Sequence, residues 1–121
     1  MEEDTIYADD SSHPIPSIDV CDVQTVRTGG GATLSLIIAT PMTNDLRSRQ
    51  RLTMKIERYL QFIRSREFES ECGCPKKENT TVAVSIHEDS HAEIFALIED
   101  CRGWIEDNHA GLVVKLLPKS I

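Results

Sequence analysis

The 121-residue chain lacks the short patterns that carry most enzyme chemistry. No nucleophile elbow, dinucleotide fingerprint or nucleotide-phosphate loop can be read along it, and Cys72 and Cys74 have no second close pair of cysteines beside them. Long apolar runs are missing too, so no stretch reaches the roughly 20 residues a helix needs to cross a bilayer. The opening MEEDTIYADD is acidic where a secretory signal would be basic and then apolar. A cytoplasmic protein with no membrane association is therefore expected, its four cysteines held as thiols.

Lys and Arg are absent from residues 1–17, which instead carry Glu2, Glu3, Asp4, Asp9 and Asp10 together with serines and two prolines. That composition reads as a flexible acidic tail, with Ile6 and Tyr7 resting on the body. Residues 18–121 then form a single α/β domain, large enough for one modest core without metal or disulfide.

The net charge of -7 is unevenly spread. Arg47, Arg49, Arg51, Lys55, Arg58, Arg64 and Arg66 crowd one segment, whereas Glu88 to Asp107 is acidic with Arg102 its only basic residue. The molecule is electrically polarised, and its overall acidity argues against general nucleic-acid binding.

The runs IDVCDVQTV and ATLSLIIAT flank RTGGG, in which Gly29, Gly30 and Gly31 suit a hairpin turn. A phosphate cradle is the competing reading of the glycines, but their spacing is wrong for it and no helix follows directly. A helix capped by Thr43 or Asn44 is expected to run to about Ser65, burying Leu52, Ile56, Tyr59, Leu60 and Ile63 along one stripe. Residues 66–79 read as a linker and TTVAVSIH as a strand. Ser90-His91-Ala92-Glu93 fits a capping box opening a second helix with Ile94, Leu97, Ile98, Cys101, Trp104 and Ile105 on one face. Gly111 ends that helix, and LVVKLL makes the last strand before Pro118.

The order is β-β-α-β-α-β. It predicts a two-layer α/β sandwich, a four-stranded mixed sheet with two helices on one face and an outer face of small residues that leaves room for a homodimer. This order, the IDVCDV…GGG…LSLII hairpin and the helix containing KIERYLQFIRS resemble a family of small bacterial domains with no assigned function. The resemblance spans about residues 17–118, rests on Tyr59-Leu60-x-Phe62-Ile63 and a capped acidic second helix, and implies no catalytic residues. The acidic tail and the Cys-Gly-Cys loop depart from it.

Three places hold chemistry worth testing. Cys72 and Cys74, with Lys76 and Lys77 nearby, read as a metal or redox pair or as plain loop thiols; a zinc site would want four convergent ligands. His87, Glu88 and His91 bracket the turn after the third strand, where acid–base chemistry or simple helix capping both fit. The first helix gathers Arg47, Arg51, Lys55 and Arg58 opposite its apolar stripe, flanked by Met54 and Phe62. That face reads as a docking surface for an acidic protein, as a solvated helix side, or as a strip on which the acidic tail folds back. The leading expectation is a non-catalytic binding or accessory module without a cofactor. The alternative is a small enzyme at the His87–His91 turn, or a metal or thiol site at Cys72 and Cys74.

Overall fold

A computed structural model describes residues 6–118. Its elements in order are β1 (Val23–Val26), β2 (Ala32–Ile38), α1 (Leu46–Ile63), α2 (Arg66–Cys72), β3 (Thr80–His87), α3 (Ala92–Asp100), α4 (Arg102–Asp107) and β4 (Gly111–Leu117). The four strands form one mixed sheet in sequential order, β1 antiparallel to β2 and β2, β3 and β4 parallel. This is an α/β fold in roughly the expected order, but with four helical segments among the described residues where two helices were expected.

Strand alternation decides which side of the sheet is dry. Ala32, Leu34, Leu36 and Ile38 of β2 are fully buried, as are Val82, Val84 and Ile86 of β3, while Thr33, Ser35, Ile37, Thr81 and Ser85 are half-buried. Period-two alternation with one apolar side is what a sheet covered on one face requires. β1 is shorter than the expected strand: all four of its residues are exposed, and residues 18–22 run past the sheet to bury Ile18 instead.

The hairpin between β1 and β2 is present, with Gly29, Gly30 and Gly31 all at positive φ. At Gly31 a Cβ would stand 2.0 Å from the Asn79 carbonyl oxygen, so this residue is glycine for space as well as for φ. The glycine loop thus packs on the segment between α2 and β3, where the Gly31 amide donates to the Cys72 carbonyl and the Ala32 amide to that of Asn79.

Several helix boundaries differ from the sequence reading. Asp45, not Thr43 or Asn44, caps α1, its carboxylate accepting from the Ser48 amide at 3.2 Å, while Thr43 donates to the same carboxylate at 2.5 Å. The presumed linker contains α2, capped by Ser65 and anchored by buried Phe68 and Cys72. Phe68 meets Phe62 edge-on at 5.5 Å between ring centroids. The second expected helix is broken at Cys101, whose amide is shared between the Leu97 and Ile98 carbonyls. Such a tightened turn, with Gly103 just after it, interrupts the regular ladder. It ends at Asp107, before Gly111, which opens β4.

Candidate functional site

The basic face of α1 is covered. Residues 6–22 form a strap across it; the segment expected to be a loose tail supplies a core side chain, Ile15 at 0% exposure, and Ile18 just beyond it is buried to 1%. Residues 1–5 of that tail lie outside the described residues. A turn in which the Asp10 amide donates to the Pro16 carbonyl folds the strap back on itself, so that several of its carbonyls point at the helix.

Four basic side chains on one side of α1, at roughly helical spacing, read the strap in turn. Arg47 pairs with Asp10 at 2.7 Å. Arg51 is fully buried: its Nε and Nη2 donate to the Ile15 carbonyl at 3.1 and 2.5 Å, and its Nη1 to the Ile6 and Ala8 carbonyls at 2.8 and 2.7 Å. Lys55, 1% exposed, donates to the Ser17 carbonyl at 2.7 Å and pairs with Asp22 at 2.8 Å. Arg58 pairs with Asp19 at 2.9 Å on the surface. A guanidinium has five donors in a fixed plane, so peptide carbonyls can satisfy it without a carboxylate. The expectation of an open docking surface is corrected for Arg51 and Lys55, whose groups are inside; Arg47 and Arg58 keep about 40% and 42% of their side chains exposed. Met54 and Phe62 are partly buried against the core.

Polar groups beyond the basic strip lock the strap, and sequence reasoning passed over them. The Tyr59 hydroxyl donates to the Ser35 carbonyl at 2.8 Å and accepts from the Asp22 amide at 3.0 Å, burial pushing its pKa well up. Asp22 also accepts from the Ile37 amide at 2.8 Å, tying the strap's end to β2. His13 sits over the start of α1: its Nδ1 accepts from the Ile15 amide and its Nε2 meets Ser48 Oγ, both at 2.9 Å. Ser48 Oγ passes a hydrogen bond to Asp45 at 2.7 Å. The acid-rich tail and the base-rich helix were the one sequence signal for this arrangement.

Two clefts flank the strap. One of about 320 Å³ lies between Tyr7, the outer side of α1 at Leu46, Gln50 and Met54, and Leu97 of α3. The other, about 270 Å³, is lined by Asp19, Cys21, Gln24, Arg58, Phe62 and Glu67. Met54, Arg58 and Phe62 thus line the rims of what the strap leaves open.

The other two candidate places take quieter positions. His87 and His91 each turn Nδ1 to a local backbone amide, of Asp89 and Glu93 respectively, both at 3.0 Å. His91 is therefore the cap of α3, and the capping box is corrected: Ser90 is buried and accepts from the Met42 amide at 3.0 Å, joining the loops before α1 and α3. Glu88 is exposed, its amide donating to the Leu117 carbonyl. Cys72 is buried at the end of α2 and Cys74 exposed, and burial pushes the Cys72 thiol up, away from the thiolate that metal or redox chemistry uses. Among the described residues no three His, Cys, Asp or Glu side chains gather around a metal-sized gap. Nor is any helix among them long and apolar enough to cross a membrane.

Compared with known proteins, the chain matches no family model, no curated protein and no solved structure.

Proposed function

We propose that this chain is a non-catalytic protein-binding module whose basic α1 face recognises an acidic, turn-forming peptide segment of a partner protein. One observation carries the reading: the face already holds such a segment. Residues 6–22 lie on it through carbonyls taken by Arg51 and Lys55 and through Asp10, Asp19 and Asp22, paired with Arg47, Arg58 and Lys55. Backbone carbonyls are common to every peptide, so selectivity falls to the carboxylates, which are spaced to meet the exposed Arg47 and Arg58. A partner segment of the same chemistry would take the face in place of the strap. The helical segments form one layer over one sheet face in this reading, a two-layer sandwich supported by the one-sided burial of β2 and β3. The module works in the cytoplasm, where its thiols stay reduced.

The test is fluorescence anisotropy with a labelled synthetic peptide of residues 6–18. It is titrated with the full chain, with Ile15→Ala to loosen the strap, and with Ile15→Ala combined with Arg47→Glu. The peptide is expected to bind Ile15→Ala at least tenfold more tightly than the full chain, and to lose that gain with Arg47→Glu. Absence of binding to Ile15→Ala, with circular dichroism showing it folded, refutes the reading. Self-association, the other partnership the sequence admits, would appear as a doubled mass in sedimentation of the same samples.

A further inference from the structure

We infer that His13 is an acid-sensitive latch, whose protonation releases the N-terminal strap and opens the basic face of α1. The inference rests on the binding reading above for its purpose, but on the geometry of His13 for its mechanism.

The hydrogen-bond directions fix the ring's state. The Ile15 amide can only donate, so the Nδ1 it reaches at 2.9 Å carries no proton. The single ring proton is then on Nε2 and is donated to Ser48 Oγ, whose own proton goes on to Asp45. A second proton has one place to go, Nδ1, and there it expels the Ile15 amide. Ile15 is the strap's anchor: its side chain is fully buried and its carbonyl takes two of the four hydrogen bonds made by Arg51. Displacing its amide therefore strains the contacts that hold residues 6–17 down.

Of the charges around the ring, the two cations oppose that proton and the two carboxylates favour it. From α1, Arg47 and Arg51 face it; from the cap, Asp45; from the strap itself, Asp10. Both carboxylates are already engaged, Asp10 by Arg47 and by Ser12, and Asp45 by Thr43 and Ser48. Burial first, then the two arginines, hold the His13 pKa below the ordinary 6.5. A histidine whose pKa is depressed when docked destabilises docking as pH falls below its free value, and the loss is complete below the docked value. In that window the strap's opening constant rises by up to about tenfold per pH unit, the slope of one proton. Asp10 and Asp45, held below the ordinary carboxylate value of 3.8, stay ionised between pH 7.5 and 5.0.

Hydrogen–deuterium exchange of the full chain between pH 7.5 and 5.0, corrected for intrinsic rates, tests the latch. Residues 6–18 are expected to lose protection progressively, by up to about tenfold per pH unit, while Leu34–Ile38 and Val82–Ile86 keep theirs. In His13→Gln, whose amide can offer the same donor and acceptor without titrating, the strap's protection should be flat with pH. If that variant fails to fold, nitrogen-15 NMR of the wild-type ring decides, since the latch requires the Nε2–H tautomer at pH 7.5 and titration below the free value. Unchanged protection of residues 6–18 in wild type, equal opening in His13→Gln, or an Nδ1–H tautomer overturns the latch. Binding of the labelled 6–18 peptide at pH 5.0 is a separate readout: an open strap without peptide binding preserves the latch and refutes the binding module.

Discussion

Leu52, Ile56, Leu60 and Ile63 run down one side of α1 and Arg51 and Lys55 down another, and all six are no more than 1% exposed. Equal depth hides unequal physics. The apolar stripe is buried because water is better off without it, a non-directional gain of about 25 cal/mol for each Å² removed from water. The basic stripe is buried against that tendency, and only because carbonyls and a carboxylate of the strap meet every one of its nitrogens at hydrogen-bond distance. The first arrangement tolerates changes of shape; the second tolerates no missing partner. A protein that holds a segment by the second means can also let it go by changing one proton or one competing acceptor.

That contrast can be broken by substitutions that keep volume and remove polarity. Arg51→Met should cost the most, about 3 kcal/mol, because it leaves the Ile6, Ala8 and Ile15 carbonyls without their donor. Urea denaturation would show it, and a loss no larger than that of Ile56→Val, about 1 kcal/mol, would erase the distinction between the stripes. Lys55→Met comes next at about 2 kcal/mol, since the Ser17 carbonyl and one oxygen of Asp22 lose their partner. Its effect should concentrate in exchange of residues 17–22, where the apolar variant Ile56→Val loosens the helix and sheet together.

Acid sharpens the comparison further. Hydrogen bonds from Thr43 and Ser48 pull the Asp45 carboxyl down to about 2 from 3.8. Its folded value lies below its unfolded one, so its contribution is whole above about 3.8 and fades as pH falls toward 2. The group is largely exposed, and screening reduces that contribution to about 1 kcal/mol. Thermal melts of wild type and Asp45→Asn should therefore converge as pH drops from 5 toward 2. The smallest effect belongs to Arg58→Ala, at most about 0.5 kcal/mol, because its pair with Asp19 stands in water. A larger loss of stability there would mean the rim of the basic face is as structural as its centre.

How much of this was legible varies with the kind of force. The alternation of Leu34, Leu36 and Ile38, the stripe of α1 and the glycine hairpin were readable, since burial by hydrophobicity leaves a period in the chain. Helix α2 also left a trace that was passed over: Ser65 ahead of Phe68 and Cys72, a cap followed by an apolar pair four apart. Its charged neighbours and the glycine and proline beyond it made the stretch look like a linker. The Ser90 box failed for another reason. Ser90 has the chemistry of a cap, but the Met42 amide from a distant loop claims its hydroxyl, so His91 takes the position. Local pattern cannot register a competitor forty-eight residues away.

The candidate site was half visible. Arg47, Arg51, Lys55 and Arg58 were placed on one face from spacing alone, and the acidic composition of the first residues hinted at what lies on it. His13, Ser48, Asp19 and Asp22 went unremarked, because a histidine between serines and prolines has no periodic partner to betray its contacts.

The sequence by itself determined the order of the strands, the place of α1, the apolar side of the sheet and the polarity of charge, since each follows from residue type at a fixed repeat. Tertiary structure alone decided that Arg51 and Lys55 are inside, that Ile15 and Ile18 belong to the core, and that the His13 ring accepts from the Ile15 amide. For the buried cations and for His13 the physical reason is the same. Their chief acceptors and donors are backbone carbonyls and amides, which every residue carries alike, so only the path of the chain in space says which of them meet.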